Sequence, residues 1–232
     1  MLELFPGGFE EVDLEDERVE LAAYADGDGE ARLRQALGPC RTEEVEPGWS
    51  EAWKRFHHPV RIGRLWIGAP WHDADPGALA VVIEPGLAFG TGSHPTTRLS
   101  LELLLACAPS TLVDLGCGSG VVAIAAASLG ARPVFALDVD PVAVAVARAN
   151  AAANGVAVDV RAGDVLEEAL PYAELAVANI ALDVVEELLP RLASRLVVTS
   201  GYLARERPHA RGWEPLERRV RDGWAADLLA RR

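Results

Sequence analysis

The chain has 232 residues, 50% hydrophobic and 25% charged, which is ordinary for a globular protein. No apolar run reaches the roughly 20 residues that a membrane span needs, and the start does not resemble a secretory signal, so we expect a cytoplasmic protein without membrane contact. A net charge of -13 argues against direct nucleic-acid binding. Three widely spaced cysteines indicate neither a disulfide framework nor a metal site.

The first part of the chain contains short segments that favour strands or helices. Strands are expected at residues 19–24, 41–45, 64–68 and 80–84, and helices at 30–37 and 48–56. The helix at 48–56 would connect the N-terminal region to the rest of the chain, with Trp49 and Trp53 packing between the two parts.

From residue 111 onward, strands alternate regularly with helices. The predicted strands are 111–115, 133–137, 156–161, 174–178 and 195–200, and the predicted helices are 119–129, 141–154 and 182–193. This alternation indicates an α/β fold whose parallel sheet is covered on both faces. Asp222-Gly223 favours a tight turn between strands at 215–221 and 224–230, so the sheet should end in an antiparallel pair. We therefore predict a reduced α+β N-terminal region (1–47), a linker (48–75) and an α/β domain (76–232).

A glycine-rich turn joins the first strand of this domain to its first helix. It reads DLGCGSG over residues 114–120, and glycines there let the backbone approach a ligand closely. Ligands of open α/β sheets bind at the carboxyl ends of strands, near such a turn. A dinucleotide-binding turn needs a glycine where this chain has Val121, so the spacing argues against NAD. It suits a loop, with Gly116 and Gly118, that wraps around the amino-acid end of a smaller ligand.

Three carboxylates follow later strands of the same sheet. Asp138 lies 22 residues after Gly116, where a carboxylate can accept hydrogen bonds from both hydroxyls of a ribose. Asp140 is expected to cap the helix that Pro141 opens. Asp164 follows the third strand, where it could meet an adenine amino group or serve only as a turn or helix cap.

These motifs resemble those of class I methyltransferases, which bind S-adenosylmethionine on a Rossmann-like seven-stranded sheet. Residues 84–97 (EPGLAFGTGSHPTT), with NIA at 179–181, are similar to the signature of the bacterial methyltransferases that modify large-subunit ribosomal protein L11. Carried over by position, the resemblance implies contacts to the methyl donor from Thr97, Gly116, Asp138 and Asn179. A loop at 89–94, which begins with Phe89, would close over the donor, and Thr96 and Thr97 can also cap a helix at 99–105.

Asn179 ends the fourth strand on the side of the sheet that would face the donor. Its amide oxygen can accept a hydrogen bond from an amine and leave the amine lone pair directed at the methyl carbon. A lysine must first lose a proton, which near neutral pH costs about 4 kcal/mol, and Asp183 is the only carboxylate nearby in sequence. We therefore expect Asn179 to be catalytic through positioning and desolvation. The alternative is a buried asparagine that only satisfies backbone groups.

The resemblance implies N-methylation of lysine or α-amino groups on a protein, with ribosomal protein L11 as the expected partner. The region before the linker would recognise this protein, although it looks shorter than in the family, as though an opening strand were missing. Three alternatives stay open: lysine methylation of another protein, such as an electron-transfer flavoprotein subunit, a nucleotide-dependent oxidoreductase, and a non-catalytic module that binds the donor.

Overall fold

A computed structural model describes residues 10–13, 19–22, 34, 35, 38, 58–85, 90 and 92–232. The chain forms two compact units, Met1–Trp53 and Lys54–Arg232. Within the described ranges, no helix is both long and apolar enough to cross a membrane.

The first unit contains an antiparallel pair of strands, β1 (Glu10–Asp13) and β2 (Val19–Ala22). β2 lies within the strand predicted at 19–24, but the expectation that no strand precedes it was wrong. The sequence of β1, EEVD, has little intrinsic strand preference because it is mostly acidic, and the strand forms through backbone pairing with β2.

Three other predictions concern the first unit and the segment after it. Arg34 and Gln35 are helical and lie within the helix predicted at 30–37, and the N–H of Gly38 donates to the carbonyl of Arg34. The strand predicted at 41–45 and the helix predicted at 48–56, with Trp49 and Trp53, lie outside the described residues.

The second unit is built on a seven-stranded sheet in the order β11-β12-β10-β9-β6-β7-β8. Its strands are β6 (Leu112–Leu115), β7 (Val134–Asp138), β8 (Asp159–Ala162), β9 (Leu175–Asn179), β10 (Leu196–Leu203), β11 (Trp213–Arg221) and β12 (Trp224–Arg231). The strands from β6 to β10 are parallel, and β12 pairs antiparallel with both β10 and β11. The predicted α/β sheet with a terminal antiparallel pair is therefore confirmed.

In the part of the chain that the structure describes, four helices flank this sheet. They are α1 (Pro95–Cys107), α2 (Val121–Ser128), α3 (Pro141–Ala153) and α4 (Leu182–Leu188). Side chains of α1, α2 and α3 share one hydrophobic core, whereas those of α4 belong to a second core. Alternate residues of the strands enter the two cores, because successive side chains of a strand point to opposite faces. Both faces of the sheet are thus covered, as the apolar strands require.

Two helix ends differ from the prediction. α1 begins at Pro95, with the His94 side chain accepting from the N–H of Thr96, so Thr96 and Thr97 lie inside the first turn and do not cap the helix. Proline favours this early start because it fits the first helical position. The helix predicted at 182–193 ends at Leu188 and continues as a short 3-10 turn, Leu189–Arg191, because Pro190 cannot donate a helical hydrogen bond.

A small three-stranded sheet precedes the main one in the chain. It contains β3 (Val60–Ile62), β4 (Leu65–Gly68) and β5 (Leu79–Val82), with β4 in the centre. β4 and β5 correspond to the strands predicted at 64–68 and 80–84, whereas β3 was not predicted. Apolar side chains of this sheet join the core of α1 to α3, so residues 60–68, inside the predicted linker, belong to the second unit.

Candidate donor-binding site

A pocket of about 440 Å³ lies at the carboxyl ends of β6, β7 and β9. It brings together six of the residues predicted to bind or act on the donor: Thr97, Gly116, Gly118, Asp138, Asp164 and Asn179. Phe89, the seventh, lies outside the described residues. Sequence reasoning missed the apolar lining, which includes Val139, Val165, Leu166, Ile180 and Val184. In the sequence, the only indication that these apolar residues line the pocket was their position after strands that also supply polar groups.

Strand geometry explains why the polar side chains meet on one face. Asp114, Asp138 and Asn179 each lie two residues after a strand residue, Leu112, Ala136 or Val177, that enters the core of α1 to α3. Because side chains along a strand alternate with period two, all three polar groups point to that same face. The parallel direction of the strands puts them at one edge of the sheet.

The glycine loop after β6 is held close to β7. The N–H groups of Gly116 and Cys117 both donate to the carbonyl of Leu137, at 2.9 and 3.0 Å. Gly116 has a φ of +76°, and a Cβ at this position would overlap the side chain of Ile180. Only glycine therefore lets the backbone pass Ile180 and line the pocket.

Asp138 is fixed by two backbone donors at the end of β7. Its Oδ2 accepts from the N–H of Gly118 at 2.8 Å, and its Oδ1 accepts from the N–H of Asp140 at 3.0 Å. Each carboxylate oxygen can accept more than one hydrogen bond, so Asp138 still has lone pairs for a ligand. The neighbouring Asp140 accepts from the N–H of Val142 and caps α3, as predicted.

Asp114 lies behind the glycine loop with only 2% of its surface exposed. Its Oδ2 accepts from the N–H of Ala123 at 3.1 Å, which satisfies a donor in the first turn of α2. Burial, with a smaller contribution from the charge of Asp138, raises the pKa of Asp114 to about 7, against the opposing effect of the Ala123 hydrogen bond. Burial also raises the pKa of the Cys117 thiol, so this thiol stays protonated and is a poor nucleophile.

Asn179 and Thr97 approach each other across the pocket, where α1 faces β9. The amide nitrogen Nδ2 of Asn179 donates to Oγ1 of Thr97 at 3.5 Å, and Thr97 is 1% exposed. The amide oxygen Oδ1 of Asn179 is buried and has no hydrogen-bond partner among the described residues. A buried acceptor without a partner is costly, which is typical of an atom that bonds to a ligand.

Asp164 begins the turn after β8. Its Oδ1 accepts from the N–H of Leu166 at 2.8 Å, and its carbonyl accepts from the N–H groups of Glu167 and Glu168. The side chain therefore serves the turn and also lines the pocket. The two roles are compatible because Oδ1 alone is used by the turn.

These residues fit an elongated ligand with an amino-acid end, a ribose and a base. The glycine loop provides a close backbone approach, Asp138 offers acceptors for hydroxyls, and the Asn179 oxygen, which has no partner among the described residues, offers a further acceptor at the pocket. The strand order and the position of this pocket define a class I methyltransferase fold.

Comparisons with known proteins agree with this identification of the fold. The family model described as ribosomal protein L11 methyltransferase (PrmA) matches residues 13–209. The chain belongs to the ribosomal protein L11 methyltransferase family, as the sequence motifs predicted.

Individual relatives show how far the similarity extends. A ribosomal protein L11 methyltransferase of Symbiobacterium thermophilum is 42% identical over 210 residues, covering 83% of this chain and 69% of that protein. One of Pelotomaculum thermopropionicum is 46% identical over 158 residues, covering 65% of this chain and 51% of that protein. The chain thus spans only about half to two thirds of the length of these relatives.

A solved structure supports the fold over most of its length. The ribosomal protein L11 methylase of Lactobacillus delbrueckii subsp. bulgaricus is similar with a TM-score of 0.69 and 28% identity, covering 75% of this chain and 99% of that one. A putative RNA methyltransferase of Pyrococcus horikoshii, at a TM-score of 0.51 and 21% identity, shares the fold alone.

Proposed function

We propose that the chain transfers methyl groups from S-adenosylmethionine to lysine and α-amino nitrogens of ribosomal protein L11. The observation that carries this proposal is Oδ1 of Asn179, which is buried at the pocket without a partner among the described residues and would accept a hydrogen bond from the amine. The substrate is supported by the names of the relatives, which are ribosomal protein L11 methyltransferases. A ribosomal substrate implies a cytoplasmic enzyme.

We assign the donor contacts residue by residue. Asp138 would accept from the ribose hydroxyls, Gly116 and Gly118 would hold the amino-acid end, and Asp164 would meet the adenine amino group. Thr97 and Phe89 would complete the site at the side of the reacting group. When bound, S-adenosylmethionine supplies an electrophilic methyl group on a sulfonium.

Asn179 would act by orienting the acceptor amine. Its Oδ1 accepts an N–H of the neutral amine, which leaves the nitrogen lone pair free to point toward the methyl carbon. Nδ2 of Asn179 donates to the Thr97 hydroxyl at 3.5 Å, and in this orientation of the amide the oxygen is the atom presented to the amine. Orientation of this kind lowers the activation barrier by several kcal/mol, and by about 7–11 kcal/mol in the best cases.

Among the described residues, the pocket carboxylates are Asp114, which is buried behind the glycine loop, and Asp138 and Asp164, which we assign to the donor. None of them is therefore left to remove the proton from a lysine. Asp183, the carboxylate nearest in sequence, is exposed and accepts from the N–H of Val184. A lysine therefore loses its proton to solvent before it reaches Asn179, at a cost of about 4 kcal/mol near neutral pH. An α-amino group, with a reference pKa of about 8, loses its proton far more easily.

We propose that residues 1–47 recognise the protein substrate and that 76–232 carry donor binding and chemistry. The linker predicted at 48–75 would connect them through its first part only, since β3 and β4 within it pack in the core of the second unit. Residues 1–53 contain 15 acidic and 4 basic side chains, so most of the net charge of -13 lies in the first unit. Such a charge favours a basic partner and speeds association with it. A substrate whose lysines are methylated fits this requirement.

The test is the variant Asn179→Ala, with Asn154→Ala as a control amide outside the pocket. We expect the turnover number with purified ribosomal protein L11 to fall by about a hundredfold in Asn179→Ala. The donor dissociation constant, measured by calorimetry, should change much less. Mass spectrometry of the product then identifies the methylated nitrogens. Donor binding without transfer by the parent chain would reject this substrate, and parent-level turnover in Asn179→Ala would make the amide structural.

A further inference from the structure

Asn150 of α3 uses both ends of its amide at a buried position. Its Oδ1 accepts from the N–H of Glu84 at 3.1 Å, and its Nδ2 donates to the carbonyl of Ser119 at 2.9 Å. Only 3% of its surface is exposed. Asn150 therefore links the chain just after β5 to the glycine loop, although Glu84 is 66 residues away from it in sequence.

Ser119 continues this link to the pocket. Its hydroxyl donates to the carbonyl of Gly90 at 2.6 Å, and the serine is 1% exposed. Gly90 lines the pocket, has a φ of +101° and lies so close that a Cβ would be 3.2 Å from Oγ of Ser119. The contact thus depends on glycine at position 90 and on a hydroxyl at position 119.

We propose that Asn150 and Ser119 are positioning residues for the methyl donor. Together they tie Glu84 and Gly90, on the two sides of residues 86–89, to the loop that would hold the amino-acid end of the donor. Neither residue lines the pocket itself, so each acts through Gly90 and the backbone of the glycine loop. The inference rests on the proposed function, because it concerns the affinity of the donor in that pocket.

Asn154, the residue that caps the C-terminal end of α3 one turn after Asn150, offers a matched control. Its amide makes the same kind of double contact with β5, accepting from the N–H of Val82 at 2.8 Å and donating to the Val82 carbonyl at 2.6 Å. It also donates to the carbonyl of Asn150, but it has no bond to Ser119 or Gly90. Removing Asn154 loosens β5 in the same way without cutting the link to the pocket.

The experiment compares Asn150→Asp, Ser119→Ala and Asn154→Ala in the full chain. In Asn150→Asp, measured at a pH where this carboxylate is ionised, one oxygen still accepts from Glu84, whereas the other faces the Ser119 carbonyl and has no proton to donate. Calorimetry with S-adenosylhomocysteine measures donor-site affinity, steady-state kinetics separate the KM for the donor from the turnover number, and urea unfolding of the free protein measures stability.

We expect Ser119→Ala and Asn150→Asp to weaken S-adenosylhomocysteine binding by about tenfold and to raise the donor KM similarly, with turnover at saturating donor nearly unchanged. Asn154→Ala should lose stability but keep its affinity. If folded Ser119→Ala and Asn150→Asp bind with parent-level affinity, or if Asn154→Ala loses affinity equally, the positioning role is overturned but the proposed function is not. Failure of the parent chain to bind would instead overturn the proposed function and the inference with it.

Discussion

The carboxylate of Asp138 and the backbone N–H of Gly118 are joined by a 2.8 Å hydrogen bond between the end of β7 and the glycine loop. The same side chain therefore has two tasks, because it holds the loop and would receive the ribose hydroxyls. Asp138→Ala removes both, and we expect donor affinity to fall by about 2–4 kcal/mol, the value of one or two charge-assisted hydrogen bonds. Calorimetry with S-adenosylmethionine and its demethylated product measures this loss.

Asp140→Ala is the control for this variant, since Asp140 is a carboxylate two residues further on that caps α3. Loss of a helix cap costs about 1 kcal/mol of stability. It should leave donor affinity close to that of the parent chain. Unchanged affinity in Asp138→Ala would remove Asp138 from the site.

Gly116→Ala tests whether the close approach of the loop to Ile180 is needed. The new methyl group would overlap the Ile180 side chain at a φ of +76°, so the loop must move away from its place at the pocket. We expect donor affinity to fall more than tenfold, and stability to fall by more than the roughly 1–2 kcal/mol that a left-handed backbone alone costs an alanine. Gly155→Ala is matched, with a φ of +65° and open space around the position, and should show only the backbone cost. Equal changes in stability and donor affinity in the two variants would show that the Ile180 side chain moves aside at little cost.

The raised pKa of Asp114 leads us to expect an unusual dependence of folding stability on pH. Burial raises its pKa to about 7 in the folded protein from a reference value of 3.8, so between about pH 4 and pH 7 the folded chain holds a proton that the unfolded chain has released. The stability that this proton contributes is complete below about pH 4 and is lost as the pH rises through about 7. The shift corresponds to roughly 4 kcal/mol.

The isosteric variant Asp114→Asn keeps an oxygen for the N–H of Ala123 but cannot titrate. Urea unfolding of the donor-free protein should show the free energy of unfolding of the parent chain falling over this pH window relative to that of Asp114→Asn. Parallel curves for the two proteins would mean that Asp114 is ionised throughout the window in the folded chain.

The parts of the fold that sequence predicted are those with local causes. The cap at Asp140 followed by Pro141 marks the start of α3, and Asp222-Gly223 marks the last hairpin, because each signal lies within a few residues of the structure it produces. The glycine loop was predicted for the same reason. Resemblance to a family added the residues at 84–97 and Asn179, whose roles have no local signature.

The parts that were missed depend on distant contacts. β1 is acidic and exists as a strand through its pairing with β2, and the ties of Asn150 to Glu84 and of Asn179 to Thr97 join residues 66 and 82 positions apart. The sequence does not show whether the side chain of a helical asparagine bonds to a distant backbone group, or to which group it bonds. Such side chains become interpretable only when the tertiary packing is known.

The final prediction concerns the acidic first unit. A chain lacking residues 1–47 retains β3 to β5 and the whole seven-stranded sheet, whose apolar cores lie within residues 60–229. We expect its donor affinity to stay within about threefold of the parent value, because every described pocket residue is kept. Methylation of purified ribosomal protein L11 should fall by about a hundredfold or more, since a lost docking site costs several kcal/mol.

Salt provides the control for this prediction, because residues 1–53 carry 15 acidic and 4 basic side chains. If this region attracts a basic substrate, raising the ionic strength should increase the KM for ribosomal protein L11 with the parent chain and have little effect with the truncated one, since salt screens exposed charges. Donor affinity by calorimetry shows whether the truncated core is intact. Equal transfer by the two chains would show that recognition lies in the second unit, and salt dependence that survives truncation would place the attracting charges there as well.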